Sequence, residues 1–155
     1  AADELSSNAA RVEVERLIAA GLGRLRADEG EVGRGIGIVA FSFGCGFALE
    51  LAAAGNDVDA VVLHYGTGGE LDWSRTRAAF LGHFAADDPF EPPDAVEALR
   101  AALERAGRDV RFETYPGAKH WFAEPDRPEH DERAAGVAWD RTVAFLRENL
   151  GPLGA

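Results

Sequence analysis

Apolar positions along this chain alternate between helical spacing and short continuous runs. Residues 9–27 carry Val14, Leu17, Ile18, Leu22 and Leu25 three and four apart, which predicts an amphipathic helix with one buried stripe. Ser6, Ser7 and Asn8 are candidate caps for it. Residues 35–41 (GIGIVAF) are apolar and rich in β-branched side chains, the pattern of a buried strand. The segment SFGCG follows, then a small-residue helix, FALELAAAG, ending at Gly55. The pattern then repeats. Residues 59–65 (DAVVLHY) predict a strand with a glycine-rich loop after it, and residues 78–84 (AAFLGHF) predict another. Residues 93–106 predict a helix, with Pro93 near its first turn and Gly107 past its end. Residues 110–115 (VRFETY) predict a strand with alternating sides. Residues 134–149 predict the closing helix, with Val137, Val143, Phe145 and Leu146 among its apolar positions and Gly151 and Pro152 ending it.

Strands alternating with helices imply an α/β fold, here a parallel sheet of about four strands with helices on both faces. A chain of 155 residues suits a single domain, 1–155, with one core. Ligand chemistry in such sheets collects at the carboxyl ends of the strands.

Charge narrows the partners. A net charge of −11 argues against nucleic acid and anionic membranes, both of which need a basic face. No apolar run approaches the roughly 20 residues that span a bilayer, and residues 1–10 lack the pattern of a secretory signal. The single cysteine, Cys45, allows no internal disulfide and no cysteine cluster for zinc, so a reducing cytoplasm is the expected compartment.

At the junction of the first strand and its helix stands Ala40-Phe41-Ser42-Phe43-Gly44, of the form small-x-nucleophile-x-small. A sharp strand-to-helix turn strains its central residue and lifts that side chain over the sheet. The residues two before and two after must then be small to avoid collision across the turn. The backbone N–H of Phe43, at the helix N-terminus, is placed to stabilise an oxyanion. The same five residues also fit a plain turn with a capping serine. Centring the elbow on Cys45 would put Phe43 and Phe47 where small residues are needed, so Cys45 reads as a buried packing residue.

A serine nucleophile needs a histidine base and an orienting carboxylate, in this fold in the order serine, acid, histidine. The loop after 78–84 reads Ala85-Ala86-Asp87-Asp88-Pro89-Phe90-Glu91-Pro92; Asp88 is the candidate acid and Asp87 the turn-former or cap. The last loop reads Pro116-Gly117-Ala118-Lys119-His120-Trp121-Phe122 and offers His120 as base, with two aromatics to wall a pocket. His64 and His83 lie within strands and read as satisfied core histidines. His130 sits in an acidic, proline-bearing stretch and reads as a solvated loop residue.

Residues 38–48 (IVAFSFGCGFA), 81–92 (LGHFAADDPFEP) and 115–122 (YPGAKHWF) resemble the three signature regions of dienelactone hydrolase-like proteins, a branch of the α/β-hydrolase fold. The resemblance covers roughly residues 34–150. It implies a hydrolase of carboxylic esters or lactones that needs no metal or cofactor. Ser42 stands where founding members carry cysteine, Asp88 matches the family acid and His120 the family base. The family glycine that opens the acid loop is Ala85 here. Only one helix precedes residue 35, where a full member of the fold has three or four strands, so a truncated α/β-hydrolase is expected. That leaves a second reading, a non-catalytic fragment that pairs with another chain. Residues 35–41 have no Lys, Pro or inward charge to blunt an edge, so either the 9–27 helix covers it or two chains pair there, and a dimer (a homodimer) or oligomer is the expected result. A cysteine-dependent sensor built on Cys45 is a third reading, disfavoured on the steric ground above.

Overall fold

The computed structural model describes residues 8–27 and 35–151. The chain divides into two units, Ala1–Arg34 and Gly35–Ala155. The first holds α1 (Asn8–Ala27). Ser6 and Ser7 lie outside the described residues. The stripe on α1 is narrower than its apolar pattern implies. Leu22 is buried and Val14 and Ile18 are half-buried, whereas Leu17 and Leu25 are exposed. Val14, Ile18 and Leu22 fall four apart on one seam. Leu17 lies about 60° round the helix from Val14, and Leu25 belongs to the last turn.

The second unit is a four-stranded sheet in the order β1-β2-β3-β4, every pair parallel. Its strands are β1 (Gly37–Phe41), β2 (Ala60–His64), β3 (Ala79–Asp87) and β4 (Val110–Lys119). Between them run α2 (Gly44–Ala53) and α3 (Pro93–Arg105), and α4 (Glu132–Leu150) closes the fold. All five residues of β2 are buried, as its unbroken apolar run requires of a central strand. Side chains alternate between two layers. Ile38, Ala40, Val61, Leu63 and Phe80 pack with Leu49, Leu99 and Leu103 of α2 and α3. Val39, Val62, Ala79 and Leu81 pack with Phe145, Leu146 and Leu150 of α4. The buried line of α4 is Ala134, Ala138, Thr142 and Phe145, while Val137 points outward and is exposed.

Two strands run past the ends their apolar patterns imply. β3 continues to Asp87 and β4 to Lys119, paired with each other across a register shift that begins after Ala85 and Tyr115. The extra residues lie in β4 around Pro116 and Gly117. Pro116 has no N–H for the ladder, and Gly117 takes φ +77°, the left-handed conformation that a bulge can require. This extension sets Asp88 and His120 immediately beyond two neighbouring strand ends.

Across the sheet, Phe41, His64 and His83 stand side by side in register. His83 is a satisfied buried histidine, with Tyr115 OH 2.9 Å from Nδ1 and Thr142 Oγ1 3.0 Å from Nε2. His64 is not: neither ring nitrogen has a hydrogen-bond partner among the described residues. It is held by packing, stacked 4.5 Å from the Phe41 ring and tilted against that of His83 at 4.7 Å. Burial pulls His64 down to about 4, and burial followed by the charges of His64 and Arg141 pulls His83 down to about 3. Both imidazoles therefore favour the neutral form when folded. In the unfolded chain they take up protons near pH 6.5. The stability these two groups contribute is fully present above about pH 6.5 and is lost as the pH drops towards the folded values, by a few kcal/mol in order of magnitude. Urea denaturation at pH 7.5 and pH 5 should show the lower midpoint at pH 5. His64→Phe should remove part of that difference, and an unchanged slope would rule out His64 as a contributor.

Candidate active site

The chain leaves β1 at Phe41 and turns at once. Ser42 takes φ +45°, and the first helical turn closes behind it through Cys45 N–H donating to Ser42 O at 2.9 Å. The Ser42 N–H donates to His64 O at 2.9 Å, tying the turn to the end of β2. A non-glycine residue in this conformation carries strain of about 1–3 kcal/mol. One crowded position lies outside the elbow pattern. A Cβ at Gly44 would meet nothing within 4 Å, so the smallness expected there is not imposed by contact. The close approach comes from Gly66, where a Cβ would overlap Ser42 O and lie 2.7 Å from Cys45 Sγ.

Ser42 Oγ lies 2.8 Å from His120 Nε2. On the other side of the ring, His120 Nδ1 lies 2.8 Å from Asp88 Oδ2 and 3.0 Å from Oδ1. A carboxylate only accepts, so Nδ1 carries the proton and Nε2 is left to accept from the serine hydroxyl. The His120 and Asp88 side chains are both almost wholly buried, at 4% and 1% exposure, whereas Ser42 is half-buried and reachable. Asp88 Oδ1 also accepts from Phe90 N–H at 2.9 Å and Glu91 N–H at 3.2 Å. The turn-forming role expected of Asp87 is thus played by Asp88. Asp87 is the exposed last residue of β3, and α3 begins behind Pro92 without a side-chain cap.

Aromatic rings surround the imidazole. Tyr65, Phe90 and Trp121 have ring centroids 5.0, 4.9 and 4.7 Å from His120. Trp121 walls the site, as its position next to His120 implied, but Phe122 turns inward and is fully buried against Tyr65 and Tyr115. Phe43 and Phe90 are more than half exposed beside the serine and histidine. Phe43 precedes α2, its ring edge-on to Phe47 at 5.4 Å. Cys45 is fully buried beneath the elbow, its thiol 3.5 Å from His64 O and pushed up by burial to about 12, so it holds no thiolate near neutral pH. His130 is exposed. Among the described residues no group of three or more His, Cys, Asp or Glu side chains could hold a metal ion, and no helix is long and apolar enough to cross a membrane.

The reading from sequence alone did not single out Tyr65, Gly66, Thr67 or Glu91. Thr67 donates to Glu91 Oε2 from its N–H at 3.0 Å and from Oγ1 at 2.5 Å. The available signals were a Tyr-Gly pair at a strand's carboxyl end and a carboxylate between prolines three residues after the acid.

The chain as a whole is similar to several known proteins. A protein of Azospirillum brasilense provisionally named carboxymethylenebutenolidase is 37% identical over 106 residues, 65% of this chain and 45% of that one. One of Saccharolobus solfataricus with the same provisional name is 32% identical over 110 residues, 69% of this chain and 42% of that one. The chain therefore spans less than half the length of these two relatives. Among solved structures, a dienelactone hydrolase-like promiscuous phosphotriesterase from metagenomic libraries superposes with TM-score 0.80 at 26% identity, covering 91% of this chain and 63% of its own. A structure from Klebsiella pneumoniae, provisionally assigned as a dienelactone hydrolase, gives 0.72 at 26% identity, covering 86% and 62%. Both of these solved structures carry dienelactone hydrolase names, the second provisionally. Residues 1–150 match the family model for dienelactone hydrolases, and the chain belongs to the dienelactone hydrolase family.

Proposed function

We propose that this chain hydrolyses carboxylic esters or lactones through an acyl-serine intermediate. One observation carries the reading: an unbroken relay from Ser42 Oγ to His120 Nε2 at 2.8 Å and from His120 Nδ1 to Asp88 at 2.8 Å, with only the serine open to approach. Ser42 Oγ attacks the carbonyl carbon as its proton passes to His120 Nε2. The resulting oxyanion accepts from the Phe43 N–H at the start of α2. As the tetrahedral intermediate collapses, His120 returns the proton to the departing alkoxide. Water then enters, gives a proton to His120 and attacks the acyl carbon. Ser42 leaves with that proton, and the carboxylic acid is released. Asp88 holds the ring and stabilises its cationic form throughout. None of these steps uses a cofactor. Exposed Phe43 and Phe90 favour esters with an apolar group beside the carbonyl.

An activated phosphonate ester, which labels nucleophilic serines, tests the reading. The expected product is one adduct, mapped to Ser42. A folded sample that takes up no label overturns the proposal.

A second reading, action by pairing, is favoured by β1, which ends the sheet with no strand on its outer side among the described residues. Phe41 on this strand is 41% exposed. Two copies joined at this edge would continue the sheet. Light scattering across a dilution series should then show a dimer. A persistent 16.5 kDa species would exclude the pairing.

A further inference from the structure

β2 carries no member of the serine–histidine–aspartate relay, yet the three residues after it touch all three loops that do. The Tyr65 ring packs on the His120 ring at 5.0 Å. Gly66 lies so close under the elbow that a Cβ would sit 2.7 Å from the Cys45 side chain. Thr67 directs both its donors at one oxygen of Glu91, and the Glu91 N–H in turn donates to Asp88 Oδ1. We propose that Tyr65-Gly66-Thr67 braces the relay and that Glu91, acting through Thr67, is the positioning residue that holds the brace in place. The inference rests on the hydrolase reading for its kinetic consequence, though not for its geometry.

The brace needs an anchor because its first residue is strained. Tyr65 takes φ +40°, a conformation that persists in a non-glycine residue only where its surroundings over-determine it. Its N–H donates to His83 O at 2.8 Å, its hydroxyl donates to Glu124 Oε1 at 3.2 Å, and its ring is fully buried. The pair of bonds from Thr67, two residues on, fixes the other end of the segment. Bonds to an ionised acceptor are about twice as strong as neutral ones. Glu91 is half-buried. Burial raises its carboxyl above the ordinary range and the two Thr67 donors draw it back, so the bonds help keep it ionised where solvent is scarce. Pro92 and Pro93 follow directly, which stiffens the strap on which Glu91 sits. With the Glu91 anchor gone, Tyr65 keeps its own bonds but the segment loses its hold at Thr67, which lets Gly66 shift beneath Ser42 and the strained Tyr65 ring tilt against His120. A misplacement of about 1 Å between reacting groups costs on the order of 100-fold in rate.

The test combines kinetics on a short-chain p-nitrophenyl ester with amide hydrogen exchange. Glu91→Ala and Thr67→Val should each lower kcat by about 10-fold to 100-fold with KM little changed, because the reacting groups are displaced and not the substrate contacts. The double variant should be no worse than the poorer single one, since one linkage is being cut twice. Glu91→Gln and Thr67→Ser keep an acceptor oxygen and a hydroxyl, and should recover most of the loss. In Glu91→Ala the Thr67 amide should lose its protection. Near-wild-type kcat in Glu91→Ala, or a Glu91→Gln variant as impaired as Glu91→Ala, overturns the proposal. If wild-type protein takes no phosphonate label, the hydrolase reading fails by itself. Thr67 exchange and the His120 Nδ1 proton resonance then decide the brace: both changed in Glu91→Ala supports it, and both unchanged refutes it.

Discussion

Ser42→Ala and His120→Ala should each cut ester turnover by about 10³-fold or more while leaving the fold intact. The size follows from how the groups act together. Without the hydroxyl, His120 has nothing to deprotonate but water. Without the imidazole, the hydroxyl stays a neutral alcohol at neutral pH and attacks poorly. Either loss disables the same step, so the double variant should be little slower than the singles. The remaining rate would come from binding and from the Phe43 N–H. Stability should change little at Ser42, since alanine keeps the backbone and the residue is only half-buried. Active-site titration with turnover assays, alongside circular dichroism, checks the result. Near-normal turnover in Ser42→Ala would remove the serine from the mechanism and turn attention to Cys45.

Asp88→Asn should cost about 10⁴-fold, if the site behaves as the serine-protease template does. The surroundings decide which way the new amide faces. Oδ1 of Asp88 accepts two backbone N–H groups, from Phe90 and Glu91. In asparagine the carbonyl oxygen must keep that place, which puts the NH₂ group where Oδ2 now faces His120 Nδ1 at 2.8 Å. An N–H donor there demands an unprotonated Nδ1. The imidazole then carries its proton on Nε2 and cannot accept from Ser42. Asp87→Asn, on an exposed side chain at the end of β3, should change turnover less than about threefold. Steady-state kinetics of both variants decide the matter, and a reversal of the two effects would move the acid by one residue.

Much of this was legible in the sequence because the signals were local. The run of β2 is continuous and apolar, and the strand lies buried at Ala60–His64. The spacing of 93–106 is helical, and α3 spans Pro93–Arg105. Small-x-Ser-x-small between strand and helix located the turn at Ser42. The features that escaped depend on contacts between distant segments. Pro116 and Gly117 read as a loop, yet β4 passes through them because a bulge accommodates both. The smallness of Gly44 looked steric, but the position in steric contact is Gly66, 22 residues further along the chain. His64 and His83 look alike in sequence, and only packing shows that one has two hydrogen-bond partners and the other has none among the described residues. The Thr67–Glu91 bonds likewise join residues 24 positions apart, with no shared pattern to announce them.

Among the described residues four non-glycine residues take positive φ, and three of them, Ser42, Tyr65 and Trp121, adjoin the imidazole of His120. Glycine relieves such a conformation by about 1–2 kcal/mol at each position. For anyone engineering this chain, the site is therefore where gains in heat resistance conflict with activity. At Ser42 the relief removes the nucleophile outright; at Tyr65 and Trp121 it strips a ring from the base, and the lost packing offsets part of the gain. A library screened for melting temperature alone would be drawn towards Ser42→Gly and away from catalysis. Selection for thermal tolerance should be run with turnover measured in the same wells.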